Sequence, residues 1–114
     1  MEMDTYQTHA QATAKYPDYV GLTYCVLGLA SEAGEVAGKL KKAMRDEGYV
    51  PPVVGALHES RKNDMVAELG DVLWYVAMTA KELGFSLSEV AERNIAKLAD
   101  RQTRDVIGGD GDKR

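Results

Sequence analysis

Apolar residues recur at steps of three and four along most of this chain. From residue 20 to 46, Leu22, Val26, Leu29, Ala33, Val36 and Leu40 form one stripe, the periodicity of an amphipathic helix. From 62 to 83, Met65, Leu69, Val72, Leu73, Val76 and Leu83 form a second. Gly84 then stands where a helix C-terminus favours glycine. Ser86 and Glu89 have the spacing of a capping box. They open a helix over 87–102 with Leu87, Val90, Ala91 and Leu98 on its apolar side. Residues 4–16 read as a weaker N-terminal helix, interrupted by Pro17. The segment 47–60 carries Gly48, Pro51, Pro52 and Gly55 and is expected to be a loop. From 103 to 114 the chain is rich in Gly and Asp and reads as a mobile tail. No alternating strand pattern occurs. The expectation is one all-α domain over residues 1–114, a bundle of four helices.

The third helix carries a second semi-apolar stripe, Ala67, Gly70, Trp74 and Met78. A helix that is apolar on two faces is usually covered on both. In a chain of 114 residues the second cover is expected from another subunit.

Composition narrows the function. The chain has 14 Lys+Arg against 18 Asp+Glu, a net charge of -4, which argues against a duplex nucleic-acid partner. A small anionic substrate stays open, because a bound metal inverts the local field. One cysteine leaves no intramolecular disulfide and no cysteine-built zinc site. Cys25 falls on a buried stripe and reads as a small core residue. The longest apolar run, Val20 to Ala30, is too short for a membrane helix. The acidic start, Met1-Glu2-Met3-Asp4, has no basic n-region, so a cytoplasmic protein is expected.

The candidate chemistry lies in carboxylates. Glu32 and Glu35 are three residues apart on the second helix, and Glu68 and Asp71 three apart on the third. That spacing keeps each pair on one helix face. On a helical wheel Glu32 falls about 60–70° from the centre of its apolar stripe and Glu68 about 90°. Two antiparallel helices would bring such borders together. Four converging carboxylates raise one another's pKa unless a cation joins them. Oxygen-only donors suit a hard divalent ion such as Mg²⁺. The alternative is a set of solvated acids on ordinary helix faces. On the fourth helix Asn94, Lys97 and Arg101 form a polar row facing inward. They would pair with the acids of neighbouring helices, or face the phosphates of a substrate. His9 and His58 lie outside the strong helices, and Trp74 points away from the acids.

Taken together, these residues resemble the MazG-like nucleoside triphosphate pyrophosphohydrolases. The resemblance rests on Ser31-Glu32-Ala33-Gly34-Glu35-Val36, on Glu68-Leu69-Gly70-Asp71-Val72-Leu73-Trp74-Tyr75, and on the run Asn94 to Gln102 followed by the Gly/Asp-rich end. It covers residues 20–112. It implies an all-α enzyme that cleaves the α–β phosphoanhydride of a nucleotide, releasing a nucleoside monophosphate and pyrophosphate. It implies Mg²⁺, with Mn²⁺ as a substitute, held by Glu32, Glu35, Glu68 and Asp71. It places Tyr75 near the sugar or base and Lys97 and Arg101 near the phosphates, and it implies a homodimer or homotetramer. The 32 positions between Glu35 and Glu68 exceed the family's usual gap, and the excess fits the 47–60 loop. Phosphoanhydride hydrolysis needs positioning and charge stabilisation more than covalent chemistry, and Glu35 or Glu32 is expected to serve the attacking water. The same fold acting on phosphoribosyl-ATP or an alarmone, and a helical interaction module without activity, are the competing readings.

Overall fold

Two long helices carry the fold. In the computed structural model, which describes residues 1–51 and 57–114, α1 spans Met3–Gln11, α2 Gly21–Asp46, α3 Glu59–Glu82 and α4 Leu87–Thr103, with a 3₁₀ turn at Asp18–Val20 before α2. No strand occurs among the described residues. The chain is all-α with four helices, as the hydrophobic spacing implies. The helix α3 begins three residues earlier than its apolar pattern. Residues 52–56 of the expected loop lie outside the described residues. The first helix stops early: Thr13 turns its N–H and its hydroxyl back onto the Ala10 carbonyl, closing a tight turn well before Pro17.

The main packing is α2 against α3, with α1 laid on α3 and α4. The line of α2 that meets α3 is Gly21, Cys25, Gly28, Glu32, Val36, Lys39 and Ala43, all buried or partly buried. Glycine is required at one of these. A Cβ at Gly28 would lie 2.1 Å from a ring carbon of Tyr75, so the Tyr75 ring rests directly on the α2 backbone. The main core joins Ala10, Cys25, Ala77, Met78 and Leu87. A smaller one, Ala43, Tyr49 and Leu57, closes the loop end. Cys25 is 0% exposed, the core residue expected.

Two turns follow helix-capping chemistry closely. At the end of α3 Gly84 has φ +82, and the N–H groups of Gly84 and Phe85 donate to the carbonyls of Lys81 and Ala80. This is a Schellman motif, which only glycine adopts at no cost. The helix α4 opens with the full Ser86–Glu89 capping box. Two further first-turn donors are served by α1: Leu87 N–H donates to Gln7 Oε1 at 3.0 Å, and Ser88 N–H to Asp4 Oδ1 at 2.9 Å.

The apolar stripes read from the sequence divide differently from expectation. Trp74 and Met78, assigned to a partner subunit, are covered by this chain's own α1 and the turn after it. Conversely Leu22, Val26, Leu69, Leu73, Leu83 and Val90 are exposed. The helix α4 meets α1 and α3 but makes no packing contact with α2, so an apolar groove lined by Leu29, Val76, Leu83 and Val90 stays open. The radius of gyration is 17.1 Å, against about 13 Å for a compact chain of this length.

Candidate functional site

Midway along the α2–α3 contact the small residues give way to carboxylates. Glu32 is on the line of α2 that meets α3, closer to the contact than the helical wheel implied. Glu68 and Asp71 face it from α3. One carboxylate oxygen from each lies within 4.8 Å of the other two. Glu35 stays exposed, one turn further on, outside this group of three but near enough to act on it. Partial burial and the charges of Asp71, Glu68 and Glu35 push Glu32 above the ordinary carboxylate range. Lys39 places its ammonium 3.5 Å from Glu68 Oε1, the one ion pair onto these acids among the described residues.

Beside the acids is a cleft of about 430 Å³ lined by Thr13, Glu32, Asp71, Trp74 and Tyr75, a size suited to a small organic ligand. Trp74 therefore points toward the acids, and the opposite expectation is corrected. Its position is fixed by Thr13, whose Oγ1 accepts the indole N–H at 2.8 Å. Trp74 meets the Tyr75 ring edge-on at 4.9 Å, and Tyr24 tilts onto Tyr75 at 6.2 Å. Tyr16 stacks on Tyr24 at 5.1 Å and donates its hydroxyl to Glu82 at 2.8 Å. Trp74 and Tyr75 close one wall of the cleft, with Tyr24 and Tyr16 stacked behind them. The Tyr24 hydroxyl beside it, together with burial, pushes Tyr75 up to about 12, so the phenol stays protonated at neutral pH. Burial, with Asp71 second, likewise raises Tyr6.

Thr13, Tyr16, Tyr24 and Lys39 carry no mark in the sequence reading. Lys39 could have been found, since it lies seven residues after Glu32 on the same helical face. Thr13 and Tyr16 could not, because they belong to the irregular segment between α1 and α2, where periodicity says nothing.

The basic row lies elsewhere. Asn94 is exposed and Lys97 partly so, while Arg101 is buried at 6% exposure. Among the described residues neither cation pairs with the acids of neighbouring helices. Lys97 Nζ and Arg101 Nη2 both reach Asp112 Oδ1, at 2.8 and 3.0 Å. The tail, expected to be mobile, folds back over the last turn of α4. Phe85, Val90, Arg93, Asn94 and Lys97 line a separate surface hollow, with the Arg93 guanidinium 4.4 Å over the Phe85 ring. His58 stands 3.8 Å from Glu47, and neither His9 nor His58 joins the acidic group.

A family model of the MazG nucleotide pyrophosphohydrolase domain matches residues 22–105. The chain belongs to that family. Its MazG segment holds the three clustered acids, Tyr75 and the basic row, whereas Thr13, Tyr16 and Asp112 lie outside the matched range. Over 120 aligned positions the chain is 44% identical to the Gene 37 protein of Mycobacterium phage L5, covering all of both sequences. No solved structure matches. No helix among the described residues is long and apolar enough to cross a membrane.

Proposed function

We propose that this MazG chain hydrolyses the α–β phosphoanhydride of a nucleoside triphosphate, giving a nucleoside monophosphate and pyrophosphate with Mg²⁺ as cofactor. The observation that carries this reading is the convergence of Glu32, Glu68 and Asp71 beside an aromatic-walled cleft. An all-oxygen donor set, with one member already destabilised as an anion, fits a hard divalent cation. Glu32, Glu68 and Asp71 would hold it, with Glu35 completing the set. Bound there, Mg²⁺ or Mn²⁺ would supply positive charge against the phosphate oxygens. Glu35 or Glu32 orients the attacking water and takes its proton. The cleft wall at Tyr75 and Trp74 receives the sugar or base. Asn94, Lys97 and Arg101 stand on α4 apart from this cleft and are assigned to the far end of the phosphate chain.

The unpartnered stripes on α2 and α3 support a homodimer or homotetramer. Leu22, Val26, Leu69, Leu73 and Leu83, read as core from the sequence but exposed here, are the ones a second copy would cover, and such a copy would close the Leu29–Val76–Leu83–Val90 groove. In this reading residues 1–114 act as one domain in the cytoplasm.

Product analysis tests the chemistry. Purified protein with Mg²⁺ is given each common NTP and dNTP, phosphoribosyl-ATP and guanosine tetraphosphate. Monophosphate plus pyrophosphate, abolished in Glu68→Gln and Glu35→Ala, is the expected result. Turnover of only the last two compounds moves the substrate class. No turnover, with no metal-induced rise in Tm, favours an interaction module without activity.

A further inference from the structure

The C-terminal loop is built, not frayed. At the end of α4 Asp105 takes φ +57, and the N–H groups of Asp105 and Val106 donate to the carbonyls of Gln102 and Arg101. This second Schellman motif reverses the chain, with aspartate tolerated in the left-handed region. Beyond it, Gly109 and Gly111 at φ +98 and +83 bend the loop round. Arg114 ties it shut, donating to the carbonyls of Ile107, Gly108 and Gly111. The closure delivers one side chain, Asp112, onto Lys97 and Arg101.

Two features distinguish this contact from a permanent structural pair. Asp112 is itself 78% exposed on its side chain, and exposed ion pairs hold weakly. Arg101 is only partly satisfied. Its Nη2 donates to the Asp112 carboxylate and carbonyl, yet its Nε is buried with no acceptor among the described residues. A buried donor left unpaired is unusual in a finished native contact. A guanidinium engages an oxyanion best through a parallel fork. A free phosphate can take Nε and Nη2 together, where the Asp112 carboxylate, held by the loop, engages Nη2 and leaves Nε.

We propose that the C-terminal loop is a strap lying on the Lys97–Arg101 row, with the Asp112 carboxylate standing in the place of a substrate phosphate, so that the strap lifts before a polyphosphate can bind. The proposal rests on the assignment of Lys97 and Arg101 to substrate phosphates. It adds self-competition: only the fraction of molecules with the strap lifted binds, and the apparent affinity is reduced by that fraction.

The test is Asp112→Asn in the full chain, which removes the competing charge at an exposed position. Inorganic pyrophosphate is titrated by calorimetry without divalent metal, so that the acidic cluster takes no part. The expected result is binding about 3- to 10-fold tighter than wild type. The gain should vanish when Arg101→Gln is added. In turnover assays KM for the preferred nucleotide falls by a similar factor while kcat stays within about 2-fold. Unchanged or weaker pyrophosphate binding in Asp112→Asn overturns the strap and makes Asp112 a positioning residue for the two cations. A gain that survives Arg101→Gln places the competition elsewhere and also overturns it. If wild type turns over no nucleotide, the catalytic proposal fails while the pyrophosphate titration still decides the strap.

Discussion

At Glu32 two costs add: a carboxylate partly withdrawn from water, and three acids facing it. A folded-state pKa above the unfolded value means that the folded chain binds the extra proton in the window between them. Stability therefore falls as pH rises through that window, and the penalty is fully present above the raised pKa. Without metal, Tm should be higher near the upper end of the carboxylate range than at neutral pH, as far as this site governs it. Saturating Mg²⁺ should raise Tm more at neutral pH than at about pH 5. Equal increments at both would remove the cluster as the metal's seat. Lys39 already offsets part of the repulsion through Glu68. Lys39→Gln should lower metal-free stability by up to about 1 kcal/mol and enlarge the Mg²⁺-induced gain, both read by thermal melting. The three acids were legible from sequence because i, i+3 spacing on adjacent helices is local information. Their distances were not, because a helical wheel gives angle from a stripe, and the stripe chosen on α2 was displaced from the line that meets α3.

At the scale of elements, the approach of α2 to α3 is set by what is missing at Gly28. Tyr75 fills that space, and its ring carries Trp74 and Tyr24 against it. Gly28→Ala must displace the ring. We expect a loss of about 1–3 kcal/mol in denaturant unfolding, as for an overpacked core. Nucleotide turnover should fall further than Mg²⁺-induced stabilisation, since the cleft wall moves while the acids keep their backbone positions. Loss of both in equal measure would mean that α2 and α3 separate along their whole length. The elements themselves were readable: α2 and α4 begin and end within a residue of their hydrophobic pattern, and the Ser86–Glu89 box and Gly84 act as their chemistry dictates. The first helix was overextended because helix-compatible residues continue to Tyr16, and nothing in periodicity announces that Thr13 will turn back on Ala10 and hold Trp74.

For the whole molecule, the distribution of apolar surface decides more than its amount. Leu22, Val26, Leu69 and Leu73 are spaced as core residues and stand in water. The stripe reading was correct about amphipathicity but misplaced the cover: it gave Trp74 and Met78 to a partner subunit, and this chain covers them itself. Sedimentation velocity should find a dimer or tetramer at micromolar concentration. Leu69→Lys with Leu73→Lys should shift it toward the monomer while far-ultraviolet circular dichroism stays helical. A wild-type monomer would leave those stripes without a role.

The caps that α1 places on α4 also carry a kinetic consequence. Leu87 and Ser88 are first-turn amides, a class that normally exchanges hydrogen with solvent almost freely. Here their acceptors are Gln7 and Asp4, about eighty residues away in sequence, and Gln7 also donates to the carbonyls of Ala77 and Phe85. These two amides should therefore exchange only when α1 lifts from the bundle, as slowly as the amides inside α1. In Gln7→Ala the protection at Leu87 should drop to first-turn rates while the centre of α3 keeps its own. The start of the fourth helix is in this sense timed by the first.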